Sequence, residues 1–253
     1  ISMIVIKSKQ ELDRMREAGK VCGWILRELA NIIQPGISTL EIDRFVEKTV
    51  REHGMRAAEK GYCGYPASIC VSINDEVVHG IPRRDHILKE GDIVSLDAGV
   101  IYKGYHSDAA RTHAVGKVSP EVQKLMDVTK QSFFEGIKQA KAGNHLFDIS
   151  AAIDDYVSGF GYGIVQDLVG HGIGTNLHED PQIPNFRQKR HGIKLVPGMT
   201  LAIEPMINMG TWKVKWLDDE WTVISEDHSL AAHYENTILI TDGEPEILTL
   251  QHA

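Results

Sequence analysis

The stretch VSLDAGVIYKGYHSDAARTH, residues 94–113, sets two acids, Asp97 and Asp108, among residues that otherwise read as strand. A two-residue turn at Lys103 and Gly104, or at Tyr102 and Lys103, folds it into a hairpin of two alternating runs. The first turn sets Asp108 opposite Gly99 and the second sets it opposite Asp97. In both registers the two carboxylates leave the same face, because side chains alternate with a period of two. Unpaired they would repel, so a metal or a basic partner is needed, and Arg111 falls on the opposite parity of a regular strand. The plainer alternative is an exposed hairpin with solvated acids.

The chain has 253 residues, the length of one large domain or two small ones. That length can bury roughly 70–75% of the unfolded surface without staples. Hydrophobic residues make up 42% and charged residues 25%, as in soluble globular proteins. A formal charge of -8 argues against a stable nucleic-acid partner and leaves an enzyme or a small-ligand binder. The cysteines, Cys22, Cys63 and Cys70, are odd in number and form no CxxC, so neither a disulfide framework nor a zinc knuckle is expected. A reducing, cytoplasmic setting fits them. The N-terminus becomes charged after six residues and lacks a signal-peptide pattern, and no run approaches 18 apolar residues, so no membrane partner is expected. Ile1 and Ser2 precede Met3 and read as residues left over from cloning.

Outward from the hairpin, the chain repeats itself. Apolar residues Leu12, Met15, Cys22, Leu26, Leu29 and Ile33 recur at helical steps after a Ser8/Glu11 capping box, and Pro35 and Gly36 end that run. A second box, Ser38 with Glu41, opens a helix that Gly54 can stop. Strands are expected at residues 69–73, 92–102 and 109–115. Helices then return from Ser119 and Pro120 to about Ala140, and from about Asp148 to Ser158. An offset of 107 carries Gly36 to Gly143, Ile42 to Ile149, Gly54 to Gly161, Leu88 to Leu195, Gly91 to Gly198 and Asp97 to Glu204. Two related α/β halves of one catalytic domain follow, about 1–117 and 118–253. Asp108 finds its counterpart in Glu235 if about 20 residues, including Trp212 and Trp221, are inserted.

Packed about a pseudo-twofold axis, the halves would bring Asp97, Asp108, Glu204 and Glu235 together. Four buried negative charges are strongly unfavourable, and two divalent cations would cancel them. Oxygen-rich coordination suits hard or borderline ions, and an added imidazole moves the choice towards transition metals. His171 in GHGIGTNLHEDP supplies that imidazole, with His178 seven residues on. The glycines of GHGIG do not match the spacing of a phosphate loop.

With these residues in hand, the chain resembles the methionine aminopeptidases of the creatinase, prolidase and aminopeptidase superfamily. VSINDEVVHGIP, GDIVSLDAGVIYKGYHSDAARTHAVG, GHGIGTNLHEDPQIPNF, LVPGMTLAIEPMI and YENTILIT carry the resemblance along nearly the whole chain. It implies the α/β (α+β) pita-bread fold, an antiparallel sheet in two pseudo-symmetric halves with helices on its outer face. It also implies two divalent ions (Co, Mn, Fe(II) or Zn), with Asp108 and Glu235 bridging them. Asp97 completes one site, and His171 with Glu204 the other. Only 25 residues separate His178 from Glu204, too few for the helical insert of the type II family, and no zinc-binding stretch stands at the N-terminus, so the type I form is nearest.

The same resemblance implies removal of the N-terminal methionine from nascent chains, with a small second residue preferred. A metal-activated water would attack the first carbonyl carbon, with Glu204 shuttling the proton. His178 would steady the oxyanion and His79 would bond the scissile amide nitrogen. Tyr62, Tyr65, Cys70, Leu177 and Trp221 would form a soft pocket for the thioether. Two positions depart from the family pattern: Leu177 stands where an aromatic is common, and Glu59 where a small or sulfur-bearing residue is, unless Glu59 lies outside the pocket. A monomer in transient contact with the ribosome is expected. Prolidases share the ligand set, and binding modules of this fold lose ligands that this chain retains.

Overall fold

A computed structural model describes residues 4–250. Ile1 and Ser2, and the reading of them as cloning remnants, lie outside the described residues. Both N-terminal capping boxes form: the Glu11 carboxylate accepts from Ser8 N at 2.6 Å, and that of Glu41 from Ser38 N at 2.9 Å. They open α1 (Lys9–Ile32) and α2 (Thr39–Glu52). Short strands β1 (Arg56–Ala57), β2 (Cys70–Ile73) and β3 (Glu76–Val78) lead to a long hairpin of β4 (Ile93–Tyr102) and β5 (Tyr105–Ala114). Its turn is Lys103 and Gly104, both at positive φ (48° and 82°), which sets Asp108 opposite Gly99. A turn of this type lets pairing resume at once, so β5 starts at Tyr105, four residues before the expected Ala109.

The second half opens with α3 (Pro120–Ile137) and α4 (Leu146–Ser158). α3 stops three residues short of Ala140. α4 starts two residues before Asp148, because that carboxylate reaches back to His145 N at 2.8 Å and caps the helix there. Then come β6 (Gly163–Ile164), β7 (Gly170–Gly172), β8 (Glu179–Ile183), β9 (Thr200–Ile203), β10 (Met206–Asn208), β11 (Val214–Trp216), β12 (Val223–Ser225), β13 (Ala231–His233), β14 (Glu235–Leu239) and β15 (Glu246–Ile247).

The 107-residue offset recurs in backbone detail. Gly36 and Gly143 have φ of 97° and 96°, and Gly91 and Gly198 both have 89°. An isolated bridge joins Ser38 to Ile87 and another joins His145 to Lys194. Ala57 pairs with Val100, and Ile164 with Ile207. Each second pair is the first moved by 107, so the same local hydrogen bonds are built twice. The insertion adds β11 and β12, which pair with β3 as a separate three-stranded sheet.

The main sheet runs β1-β4-β5-β14-β9-β7-β8, with β2 also on β4 and β15 on β14, all antiparallel. Alternation divides its faces. Val94, Leu96, Ala98 and Val100 of β4 pack with Cys22 and Leu29 of α1 and with Ile42 and Val46 of α2. Leu201 and Ile203 of β9 and Ile238 of β14 pack with Phe133 of α3 and Ile153 of α4. Asp97, Asp108 and Glu235 have the other parity and leave the face away from the helices. Each fully buried aliphatic side chain stabilises by ~1.5–3 kcal/mol. A one-residue slip would exchange that face for carboxylates, so packing holds the acids' register. No described helix is long and apolar enough to cross a membrane.

Candidate metal centre

Three strands set a row of residues across the sheet: Asp97 opposes Ala110, which in turn opposes Glu235. Asp108 lies two residues from Ala110 on the same face. Glu204 directly follows β9, whose Ile203 pairs with Asn236 beside Glu235. His171 pairs with Ala202 of β9, and a bulge follows between His171 and Gly172. The ring Nδ1 lies 2.9 Å from Gly172 O, a group that can only accept, so Nδ1 carries the proton. Nε2 is left with its lone pair, 3.3 Å from Glu204 Oε1 and 4.0 Å from Asp108 Oδ2.

Among the described residues, no Lys or Arg forms an ion pair with the acids: no Lys or Arg nitrogen comes within 4.0 Å of a carboxylate oxygen of Asp97, Asp108, Glu204 or Glu235; only His171 and His233 do. Arg111 lies on the opposite parity and donates to Glu235 O and, at 2.6 Å, to Asn236 Oδ1 instead. Buried oxygens Asp97 Oδ1, Asp108 Oδ1 and Glu235 Oε1 lack any hydrogen-bond partner. Burial pushes the Asp97 carboxyl up to about 7. Asp108, Glu204 and Glu235 are raised well above the ordinary carboxylate range, first by burial and then by the charges of neighbouring acids, Asp97 included. One ligand atom from each of Asp108, His171 and Glu235 lies within 4.8 Å of the others, and so do atoms of Glu204, His233 and Glu235. Orphaned carboxylate oxygens around a neutral imidazole are a donor set that fits divalent cations.

A cavity of about 120 Å³ opens onto these groups, and every site candidate named from the sequence lines it. Cys70 stands opposite Asp97 across β2 and β4. Tyr65 is buried, and its hydroxyl donates to Gly80 O at 2.8 Å, so its ring presents carbon. Trp221, carried by the β11–β12 insertion, meets Tyr65 edge-on at 5.0 Å. Leu177 is buried against Ile173 and Ala58. His79 follows β3 at φ 60°, a left-handed backbone uncommon outside glycine, and lies 6.4 Å from the Trp221 ring. His178 is at the rim, its Nδ1 2.8 Å from Tyr62 Oη and its ring 4.1 Å from that of His171. Burial, then the neighbouring His178, lowers His79 to about 4 and His171 to about 3, so both are neutral imidazoles near pH 7.

Glu59 does not lie outside the pocket: it lines the cavity beside Asp97 and Asp108. Reading the sequence also passes over His233. This residue is buried, with Nε2 3.7 Å from Glu204 Oε2 and 3.9 Å from Glu235 Oε2. Its signal is its parity, two residues before Glu235.

A family model described as metallopeptidase family M24 matches residues 13–242. The chain is 53% identical over 248 residues to a methionine aminopeptidase of Clostridium acetobutylicum, covering 98% of this chain and 99% of that one. It superposes on the crystal structure of a methionine aminopeptidase from Thermotoga maritima with a TM-score of 0.96 and 43% identity, covering 98% of this chain and all of that one. An Xaa-Pro dipeptidase from Bacillus anthracis gives 0.78 at 26% identity, this chain spanning 62% of its length. The antiparallel sheet with helices over one face is thus the pita-bread architecture.

Proposed function

The chain belongs to metallopeptidase family M24, among its type I methionine aminopeptidases, and from that premise we propose that it is a two-cation exopeptidase releasing N-terminal methionine. The carrying observation is the set of buried acids with orphaned oxygens and, among the described residues, no Lys or Arg in an ion pair with them. Asp108 and Glu235 are proposed to be shared by both cations, Asp97 to complete one site, and His171 with Glu204 the other. Cations held there would acidify a water and polarise the scissile carbonyl.

The remaining steps belong to side chains of this chain. Glu204, at the edge of the acid cluster, passes the proton from the attacking water to the leaving amine. His178 Nδ1 is 2.8 Å from Tyr62 Oη, and in the tautomer in which that nitrogen accepts from the hydroxyl, Nε2–H donates to the developing oxyanion. His79, neutral and held by its left-handed backbone, bonds the scissile amide nitrogen. Tyr62, Tyr65, Cys70, Leu177 and Trp221 receive the thioether against ring faces and sulfur. The proposed substrates are nascent chains with a small second residue, met by a monomer in the cytoplasm.

Xaa-Pro dipeptidases share the architecture, so substrate choice is the test. Enzyme reloaded with Mn(II), Fe(II) or Co(II) is expected to release methionine rapidly from Met-Gly-Ser, slowly from Met-Lys-Ser, and to leave Ala-Pro intact. Faster turnover of Ala-Pro than of Met-Gly-Ser would overturn the methionine assignment.

A further inference from the structure

Glu59 sits in the loop between β1 and the single 3₁₀ turn Tyr62–Gly64, where Ala58 N donates to Gly99 O at 3.0 Å. Glu59 is only 7% exposed. Oε1 accepts from Gly99 N, while Oε2 is buried with no partner. A Cβ at position 99 would come within 2.7 Å of Glu59 Oε1, so the glycine is what admits this carboxylate to the sheet face. The adjacent cation gives no relief, because Lys60 turns outward to pair with Glu47. One oxygen each from Glu59, Asp97 and Asp108 lies within 4.8 Å of the others, and Asp97 Oδ1 and Asp108 Oδ1 are orphaned in the same way.

We propose that Glu59 is a further metal-ligating residue, giving the cation between Asp97 and Asp108 a third carboxylate through Oε2. Both oxygens would then be engaged, Oε1 by the Gly99 amide that anchors the side chain and Oε2, buried without a partner, by the ion. A fifth carboxylate also changes the charge of the centre. Four acids balance two divalent cations, whereas five leave an excess negative charge that strengthens cation retention and favours oxygen-seeking ions such as Mn(II). The inference rests on the two-cation reading above.

The test is calorimetric titration of chelator-stripped protein with Mn(II), with the metal bound per chain counted by plasma emission. E59Q retains an acceptor for Gly99 N and removes one buried charge, so it tests ligation without disturbing the anchor; E59A removes both. Wild type is expected to bind two ions. Both variants are expected to lose roughly tenfold or more in affinity at one step, with the other step within about twofold. Circular dichroism checks that both variants are folded, and E59Q carries the test alone if E59A is not. Wild-type isotherms in a folded E59Q would overturn the role of Glu59 while leaving the two-cation centre standing. A wild-type protein that binds no divalent ion would overturn both, and the metal count separates the two failures.

Discussion

His79 and His171 line one cavity, yet their surroundings differ in a way that predicts different losses. His171 aims a lone pair at Glu204 and Asp108, its other nitrogen being held by Gly172 O. His79 carries its ring beside Trp221, and His178 leans on Tyr62. His171→Ala is expected to lower both cation affinity and turnover. His79→Ala and His178→Ala are expected to retain metal and lose roughly a hundredfold or more in kcat/KM, as for a lost positioned donor. Metal counts and rates on the three variants check the division, and metal loss as the main defect of His79→Ala would move that residue into the cation site.

At the scale of elements, β14 and β5 pair through only two residue pairs, Glu235 with Ala110 and Asn236 with Ala109. At the third position a side chain takes over. Asp108 N donates to Thr237 Oγ1 at 2.8 Å, and that hydroxyl donates to Asp108 O, also at 2.8 Å. Thr237 therefore spaces the strands that carry two of the acids. Thr237→Val leaves a buried amide and carbonyl without partners, at a cost of about 1–3 kcal/mol. It is also expected to weaken cation binding, whereas Thr237→Ser should retain both properties. Thermal melts and metal titration of the pair check this, and an unchanged Thr237→Val would deny the hydroxyl its spacing role.

For the whole molecule, the acid cluster makes stability depend on metal and pH together. Carboxyls raised by burial, Asp97 to about 7 and Asp108, Glu59, Glu204 and Glu235 well above the ordinary carboxylate range, bind more protons folded than unfolded, where such groups titrate near 4. Stability of the metal-free chain therefore falls as pH rises through that interval. His171 and His233, lowered to about 3, and His79, lowered to about 4, act oppositely, but only below about pH 6.5, above which they are neutral in both states. Above about pH 6.5 these histidines no longer offset the acids, so metal-stripped protein is expected to lose more Tm than metal-loaded protein as pH rises through about 7. Cation binding at about 100 times Kd adds about 2.7 kcal/mol per site. Chelation should abolish activity and Mn(II), Fe(II) or Co(II) restore it. Parallel Tm curves with and without metal, or full activity in metal-free protein, would contradict the account.

What the sequence by itself determined here is whatever depends on period and local chemistry. Capping pairs such as Ser38 with Glu41 act within one helical turn. The parity of Asp97 and Asp108 follows from strand alternation in either hairpin register, and the 107-residue offset follows from glycines whose left-handed backbone is needed twice. The choice between Lys103–Gly104 and Tyr102–Lys103 needed the pairing of the whole hairpin. Tertiary structure alone decided how Glu59 and Thr237 meet the acids. Glu59 reaches them only because Gly99, 40 residues away, leaves room for its carboxylate, and Thr237 only because Asp108, 129 residues away, presents its backbone. Such contacts depend on which segments pack together, and no local period in the chain encodes that.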